Sequence, residues 1–275
     1  MSFYYSIASG SSGNCALWQA GDTAVLIDLG VSVRALNQAL RRIDMQVEDL
    51  SAVLLTHEHV DHTKGLATFT KKYDLPVYAT FGTAAAILQK LPQAQKNLRT
   101  FAGGERFTVD DLQIQSMPVS HDAAEPVAYR IDGGGHQLGY VTDTGFLPEQ
   151  VQKQVSGCDT IVLESNHDVD MLRTGPYPMY LKQRIRGKAP LHLPQNSCRD
   201  SFHPLPVPLP LLPAVPKFSH TLHAGPKPFH SRVLPVPGGL STRLSKPCRA
   251  FLQLLAETSC RVLLLAGIGR ESCRV

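Results

Sequence analysis

The 275-residue chain is 43% apolar and 18% charged, a composition that provides a hydrophobic core and excludes a disordered or fibrous protein. Residues 1–5 lack the basic flank and apolar core of a signal peptide, and no apolar run reaches the roughly 18 residues of a membrane span. We therefore expect a cytoplasmic protein with no membrane segment. Six cysteines without CxxC pairing predict neither a disulfide framework nor a Cys-based zinc site.

Charge and proline content divide the chain near Gly187. Residues 1–187 hold 16 Lys and Arg against 20 Asp and Glu, whereas residues 188–275 hold 11 against 3, with 13 of the 20 prolines. Each proline removes a backbone donor and fixes φ, so we expect residues 188–275 to supply no helix or strand. The sequence thus predicts a folded domain over 1–187 and a basic, Pro-rich tail over 188–275.

The first part alternates short strand-like runs with helical runs. Amphipathic spacing predicts helices over 33–42 and 84–91, the second capped by Thr83 and ended by Pro92. Short apolar or alternating runs predict six strands: 24–29, 52–56, 112–119, 127–131, 137–142 and 160–164. Glycines 133–135 are typical of a hairpin turn. Strands with occasional helices between them indicate an α/β sandwich of mixed sheets.

The run THEHVDH over residues 56–62, an HxHxDH motif, directly follows the predicted strand 52–56. The loop places four potential ligands within six residues. Their side chains can converge only if a bound group stabilises them close together, and a transition-metal ion does so. Imidazoles with a carboxylate suit zinc, manganese or iron, and two such ions can share a bridging hydroxide. The alternative is a solvated polar loop, which the sparseness of histidine in proteins disfavours. Glu58 is expected to point away from the cluster.

Two further polar residues follow predicted strands, namely His121 in VSHD and Asp143 in VTDTG. Alone, His121 would be an ordinary surface or core residue and Asp143 a turn former. Together with the HxHxDH loop, both become candidate ligands.

Asp28 at a strand end, the HxHxDH loop, the downstream His121 and the TDTG segment occur in the order found in the metallo-β-lactamase fold. The segments ASGSSGNC (8–15), HDAAEP (121–126) and ESNHD (164–168) resemble the YycJ (WalJ) branch of that superfamily. The resemblance covers about residues 1–187 and implies an αββα sandwich. Members of the branch are cytosolic bacterial metal-dependent nucleases, described as 5′ to 3′ exonucleases on double-stranded DNA.

Carried over by position, the resemblance implies two divalent metal ions, zinc or manganese. It assigns His57, His59 and His121 to one ion, Asp61 and His62 to the second, and Asp143 to both. Asp28 would hold ligand imidazoles in the right tautomer. The nucleophile would be a metal-bound hydroxide, with Asp61 helping to position it.

The loop 9–14 offers small residues and backbone donors. This composition suits contact of Ser11, Ser12 and Asn14 with a substrate phosphate, or support of the HxHxDH loop (57–62), called the metal loop below. A simple tight turn is an equal alternative. His167 in ESNHD could position a phosphate or protonate a leaving alkoxide, or be a polar loop residue. The sequence does not indicate an oligomeric state.

The predicted function is that of a metal-dependent phosphodiesterase acting on nucleic acid, most specifically double-stranded DNA from a 5′ end. The net charge of −4 over residues 1–187 supplies no basic groove for this substrate. A thioester or lactam hydrolase and a non-catalytic metal-binding module are the alternatives, because HxHxDH alone does not separate them.

The resemblance ends at about Gly187, where the family continues with a His-Leu-Ser stretch and a late histidine that completes the second metal site. None of the five tail histidines lies in a matching motif. Codons for residues 189–192, read one base later, can encode His-Leu-Ser, so a reading-frame shift is one explanation of the tail. A natural basic extension, disordered or bound to an acidic partner, is the other. With a non-native tail we expect impaired activity and exposed apolar surface.

Overall fold

The computed structural model describes residues 2–164 and 261–265, whose strands form two six-stranded sheets stacked face to face. The first sheet contains, in spatial order, β1 (Ser2–Ala8), β2 (Cys15–Ala20), β3 (Thr23–Ile27), β4 (Ala52–Leu54), β5 (Val77–Thr80) and β6 (Leu98–Phe101). The second contains β7 (Arg106–Val109), β8 (Leu112–Pro118), β9 (Val127–Gly133), β10 (His136–Val141), β11 (Thr160–Glu164) and β12 (Arg261–Leu265). Both sheets are mixed: β3 to β6 and β10 to β12 are parallel, and the remaining pairs are antiparallel.

Five helices of the described residues connect these strands: α1 (Val33–Arg41), α2 (Val60–Thr63), α3 (Leu66–Lys72), α4 (Phe81–Lys90) and α5 (Glu149–Val155). Short 3-10 turns lie at Val47–Asp49 and Pro92–Lys96. Buried side chains of α1, α3 and α4 pack on the outer face of the first sheet, whereas α5 packs on the second. This order of layers is αββα.

The core between the two sheets is formed by the inward residues of both. Trp18, Ile27 and Leu54 from the first sheet meet Tyr129 and Tyr140 from the second, and all five are buried. Alternation along β8 sends Leu112 and Ile114 inward while Gln113 faces solvent, as expected for a strand covered on one side. Burial of this apolar area fixes how the sheets face each other, and therefore which strand ends meet at one edge.

The predicted α/β sandwich of mixed sheets is confirmed, and the six predicted strands are present with slightly different ends. One local expectation is wrong: the helix predicted over 84–91 begins at Phe81, and its cap is Thr80 instead of Thr83. The Thr80 hydroxyl accepts the Thr83 N–H at 3.3 Å, which satisfies a donor of the first turn.

The tail was expected to supply no strand, yet Arg261–Leu265 forms β12 and pairs in parallel with β11. The physical reason is composition: residues 248–275 contain no proline, and 262–265 read VLLL. The rest of the tail lies outside the described residues. Among the residues that are described, no helix has the length and apolar character needed to cross a membrane.

Candidate metal centre

The predicted site residues meet at the edge of the sandwich where strands of both sheets end. Asp28 follows β3 and the HxHxDH loop follows β4, its parallel neighbour. His121 follows β8 and Asp143 follows β10, in the second sheet. The Val127 N–H of β9 donates to the Thr56 carbonyl at 3.0 Å, which ties the HxHxDH loop to the second sheet. The fold therefore collects residues that are far apart in the chain.

One triad consists of His57, His59 and His121. Nδ1 of His59 lies 3.0 Å from Nε2 of His57 and 3.2 Å from Nε2 of His121. Three nitrogens bound to one zinc ion at about 2.0–2.1 Å in a tetrahedron are separated by roughly 3.4 Å. The spacing of the three nitrogens therefore fits a shared ion.

A second triad consists of His57, His62 and Asp143, whose ligand atoms lie within 4.8 Å of one another. Nε2 of His62 is 3.1 Å from Oδ2 of Asp143 and 3.6 Å from Oδ2 of Asp61. His57 belongs to both triads, so the two sets of donors are contiguous. Imidazole and carboxylate donors in this arrangement suit a pair of divalent ions.

Two buried residues set the tautomers of His57 and His62. The Thr56 hydroxyl donates to the Asp28 carboxylate at 2.9–3.0 Å, so its 2.9 Å contact with Nδ1 of His57 requires the ring to donate. Nδ1–H of His62 donates directly to Oδ2 of Asp28 at 2.8 Å. In the neutral form of each ring, the Nε2 lone pair is thereby directed at the cluster.

His59 faces the cluster with the other ring nitrogen, Nδ1. Its Nε2 lies 3.2 Å from the carbonyl oxygen of Asp122, which can only accept, so Nε2 carries the proton and Nδ1 keeps the lone pair. The chemistry of the donors thus matches the geometry: in the neutral form of His57, His59 and His62, the nitrogen that faces the cluster is the one that carries the lone pair.

The charges of the cluster favour cation binding. Burial is the main cause that lowers the pKa of His57, and nearby His62 lowers it further, so this ring is neutral. Burial alone would lower the pKa of His62, but the carboxylates of Asp28 and Asp143 raise it well above 6.5. Burial likewise opposes ionisation of Asp143, yet the hydrogen bond with His62 holds its pKa far below the usual range. Asp143 is therefore an anion at neutral pH.

Backbone conformation is unusual at two carboxylates of the site. Asp28 and Asp143 have φ values of 61° and 48°, in the left-handed region that aspartate enters more readily than most residues. Each lies where a strand ends, so the positive φ turns the side chain from the strand direction toward the cluster. Such conformations cost about 1–3 kcal/mol and are retained where the surroundings impose them.

The loop 9–14 supports the metal loop. The Asn14 N–H donates to the Asp61 carbonyl at 2.7 Å, and Nδ2 of Asn14 lies 3.3 Å from Oδ2 of Asp61 and 3.0 Å from Nε2 of His62. A Cβ at Gly30 would stand 1.7 Å from the Asp61 carbonyl oxygen, and one at Gly13 would stand 2.3 Å from that of Gly30. Only glycine permits this approach of three backbones.

The structure brings most of the predicted site residues together. Those within the cluster or in contact with it are Asp28, His57, His59, Asp61, His62, His121, Asp143 and Asn14. Ser11 and Ser12 are exposed on the loop that Asn14 ends, so their role toward substrate stays a prediction. His167 and the five tail histidines lie outside the described residues.

Sequence reasoning gave no role to Thr56 or Glu58. Thr56 stands beside the motif as an ordinary strand residue, and its contact with Asp28 depends on the pairing of β3 with β4. Glu58 does point away from the ligand nitrogens, as expected, but its carboxylate accepts the Ala124 N–H at 2.8 Å. The only available signal for Glu58 was its place inside the motif.

Comparison with known proteins agrees with this geometry. Residues 23–198 match the family described as "Beta-lactamase superfamily domain", a match that runs past Gly187. Exodeoxyribonuclease YycJ of Bacillus anthracis is 39% identical over 189 residues, covering 67% of this chain and 71% of that protein. Exodeoxyribonuclease WalJ of Streptococcus pneumoniae serotype 2 is also 39% identical over 189 residues, covering 66% and 70%.

Among solved structures, Zn²⁺-bound PqqB from Methylobacterium extorquens superimposes with a TM-score of 0.55 at 20% identity. It covers 65% of this chain and 78% of that chain, a likeness that shows the fold alone. With the fold, the His and Asp cluster and the sequence relatives in agreement, the chain belongs to the metallo-β-lactamase superfamily and, within it, to the YycJ and WalJ family, and is a metal-dependent hydrolase.

Proposed function

We propose that the protein is a phosphodiesterase that degrades double-stranded DNA from a 5′ end with two divalent ions, zinc or manganese. The observation that carries the proposal is one continuous cluster of donors, in which the triad of His57, His59 and His121 lies beside the side chains of His62, Asp143 and Asp61. The relatives with 39% identity are named exodeoxyribonucleases, which favours DNA over other substrates of the fold. A thioester or lactam hydrolase would use the same cluster and is the alternative function.

The proposed ligand sets are those that the family resemblance implies. One ion would be held by His57, His59 and His121, the other by His62 and Asp61, with Asp143 between the two. When bound, divalent ions supply Lewis acidity toward a phosphoryl oxygen and lower the pKa of water. The protein's own contribution is to fix donor positions before substrate arrives, through Asp28 and Thr56, which direct the lone pairs of His57 and His62.

Exposure indicates the side from which substrate approaches. His57 and His62 are each 1% exposed, whereas the side chains of His59 and Asp61 are 32% exposed. A phosphodiester would therefore reach the cluster along His59 and Asp61. Asp61 would orient the attacking water there, and the hydroxyls of Ser11 and Ser12 would contact a phosphate oxygen. His167 would protonate the leaving alkoxide or position the phosphate.

Substrate binding in this proposal does not depend on a basic groove, because residues 1–187 carry a net charge of −4. Within the described residues, the exposed large apolar side chains are Val60, Phe81 and Phe146. Each follows the carboxyl end of a strand at the edge that carries the metal cluster. Aromatic rings at this edge can stack on the bases of a DNA end, an interaction that tolerates any sequence.

The test is incubation of the purified protein with duplex DNA labelled at the 5′ or 3′ end, with added Mn²⁺ or Zn²⁺ and a thioester as the competing substrate. We expect early release of the 5′ label as mononucleotide and loss of activity with a chelator. Thioester hydrolysis without DNA degradation would favour the thioester hydrolase over the nuclease. Metal binding without hydrolysis of either substrate would indicate a non-catalytic module.

The proposal also includes a cytoplasmic location, a catalytic domain over about 1–187, and an aberrant tail that follows it. The strand at Arg261–Leu265 means that part of the tail sequence can still pair with the second sheet. Resequencing of the gene around codon 188 tests the origin of the tail. A one-base difference that restores His-Leu-Ser supports a frame shift, and an unchanged frame with full activity excludes it.

A further inference from the structure

The loop 119–126, between β8 and β9, must hold His121 against His59 although the two residues belong to different sheets. The Val119 N–H donates to the Pro126 carbonyl at 3.2 Å and closes the base of the loop. The Gly145 N–H donates to the Ser120 carbonyl at 2.9 Å. Further along the loop, Ala124 and Glu125 contact residues that follow strands of the first sheet.

Glu125 provides the first of these contacts. One carboxylate oxygen accepts the Gly82 N–H at 2.7 Å and the other accepts the Gly103 N–H at 3.0 Å, while its carbonyl accepts the Thr80 hydroxyl at 2.8 Å. A Cβ at Gly82 would stand 2.7 Å from Cβ of Glu125, and one at Gly103 would stand 3.1 Å from its Oε1. The carboxylate is therefore enclosed between the start of α4 and the turn after β6.

Glu58 provides the second contact, from inside the metal loop itself. Its Oε1 accepts the Ala124 N–H at 2.8 Å, and its Oε2 lies 3.5 Å from the Thr83 hydroxyl. Glu58 stands between His57 and His59, so this hydrogen bond joins the loop that carries two members of the triad to the loop that carries the third. The alternation that directs both imidazoles inward directs Glu58 toward the His121 loop.

We propose that Glu58 and Glu125 are positioning residues for the His57, His59 and His121 triad. Together they fix the His121 loop to the metal loop and to α4, so that Nδ1 of His59 stands 3.0 Å from Nε2 of His57 and 3.2 Å from Nε2 of His121 before an ion binds. Charge-assisted hydrogen bonds from backbone N–H groups are well suited to this role, because they are short and directional. Because the loop is already ordered before an ion binds, binding costs less conformational entropy, and the metal affinity is higher.

The two glutamates differ in what glutamine can replace. At Glu58, a glutamine oxygen can accept the Ala124 N–H, and its NH₂ can donate to the Thr83 hydroxyl, which is also an acceptor. At Glu125, both carboxylate oxygens accept from backbone N–H groups, so a glutamine must turn its NH₂ toward a donor. Glu58→Gln should therefore retain the hydrogen bond from the Ala124 N–H. Glu125→Gln should lose one of the two hydrogen bonds from the N–H groups of Gly82 and Gly103.

The experiment measures Zn²⁺ affinity of the metal-free, full-length protein by competition with a chromophoric chelator. We expect Glu58→Ala, Glu125→Ala and Glu125→Gln to weaken the site about 10–100-fold, and Glu58→Gln to bind like the unsubstituted protein. The matched control is Glu149→Gln, a change of an exposed glutamate on α5 that pairs with Lys153. A second readout is hydrogen–deuterium exchange over 119–126, which should be faster only in the three weakened variants.

The outcomes separate this inference from the proposals on which it rests. If Glu125→Gln and Glu58→Ala bind Zn²⁺ and exchange like the unsubstituted protein, the inference is wrong. If Glu58→Gln is as weak as Glu58→Ala, positioning by a hydrogen-bond acceptor is also wrong. If neither Glu125 variant folds, the comparison of Glu58→Ala with Glu58→Gln tests the inference. Absence of Zn²⁺ binding by the unsubstituted protein would instead refute the metal centre, and absence of nuclease activity alone would leave these affinities unchanged.

Discussion

The Asp28 carboxylate and Thr56 are joined twice: Oδ1 of Asp28 accepts the Thr56 N–H at 2.8 Å and its hydroxyl at 3.0 Å. Both residues are buried. The pair links the ends of β3 and β4, and the same hydroxyl accepts Nδ1–H of His57. The Asp28 carboxylate contacts His62 directly and His57 through the Thr56 hydroxyl. One buried charge therefore orients two imidazoles.

Replacement of Thr56 by valine keeps the shape of the side chain but removes the hydroxyl. Nδ1–H of His57 then loses its acceptor, and we expect metal affinity to fall about 10–100-fold and the unfolding free energy by about 1–3 kcal/mol. Thr56→Ser, which retains the hydroxyl, is the control. Metal titration and thermal unfolding measure the two effects. Equal affinity in Thr56→Val and Thr56→Ser would contradict the role of the hydroxyl.

His59→Ala should remove metal from one position and leave the other. The triad of which His59 is a member would be reduced to two imidazoles, whereas the donors around His62 remain. Asp61→Asn should mainly weaken the ion near His62, because an amide is a neutral and poorer ligand. Metal content per chain, measured on both purified variants, tests this. Unchanged stoichiometry in His59→Ala would show that the ligand assignment is wrong.

Metal uptake should release protons and strengthen with rising pH. The carboxylates around His62 hold its pKa well above 6.5, so the metal-free ring is protonated at neutral pH and a cation must displace that proton. The raised pKa also stabilises the metal-free fold, fully below about pH 6.5 and progressively less as pH rises through the folded-state value. Calorimetry in two buffers of different ionisation enthalpy measures the protons released. Zero release near pH 7 would contradict a protonated His62.

Local pattern and long-range packing contributed differently to what the sequence could predict. The HxHxDH loop is contiguous, and His121 and Asp143 each follow a recognisable strand, so these residues could be proposed from sequence alone. The contact of Asn14 with Asp61 depends on glycine-permitted packing of separate loops, and no periodicity encodes it.

Edge strands were also missed, for a physical reason. Strands β6 and β7 lie at the edges of their sheets and expose two of their four residues each, so their patterns lack a continuous apolar run. The Thr80 cap was missed because the helix begins with Phe81 and Gly82, which helical periodicity does not favour. Strands β3, β4 and β8 to β11 were predicted close to their observed bounds, whereas β2 and β5 were missed although they are mostly buried inside the first sheet.

Gly30→Ala should disrupt the metal loop, since the added Cβ would stand 1.7 Å from the Asp61 carbonyl oxygen. We expect a loss of about 1–3 kcal/mol or more in unfolding free energy, as for other overpacked sites, together with weaker metal binding. The control is Gly157→Ala, where nothing lies within 4 Å of the added Cβ. Chemical denaturation of the three proteins provides the comparison. If Gly30→Ala is as stable as Gly157→Ala, the close approach of the loops is not a constraint.

Phe146→Ala tests the part of the proposed function that concerns substrate binding. Phe146 is 51% exposed and follows the Asp143 turn, with the Gly145 N–H bonded to the Ser120 carbonyl beside His121. Loss of one stacked base costs about 1–3 kcal/mol, so KM for duplex DNA should rise roughly 10-fold or more while kcat changes little. Phe146→Tyr, which keeps the ring, should retain the KM of the unsubstituted protein.

Hydrolysis of bis(4-nitrophenyl) phosphate should be equal in all three proteins, because this small substrate reaches the metal cluster without a DNA end to stack. An equal loss on both substrates would mean that Phe146 supports the cluster and does not bind DNA.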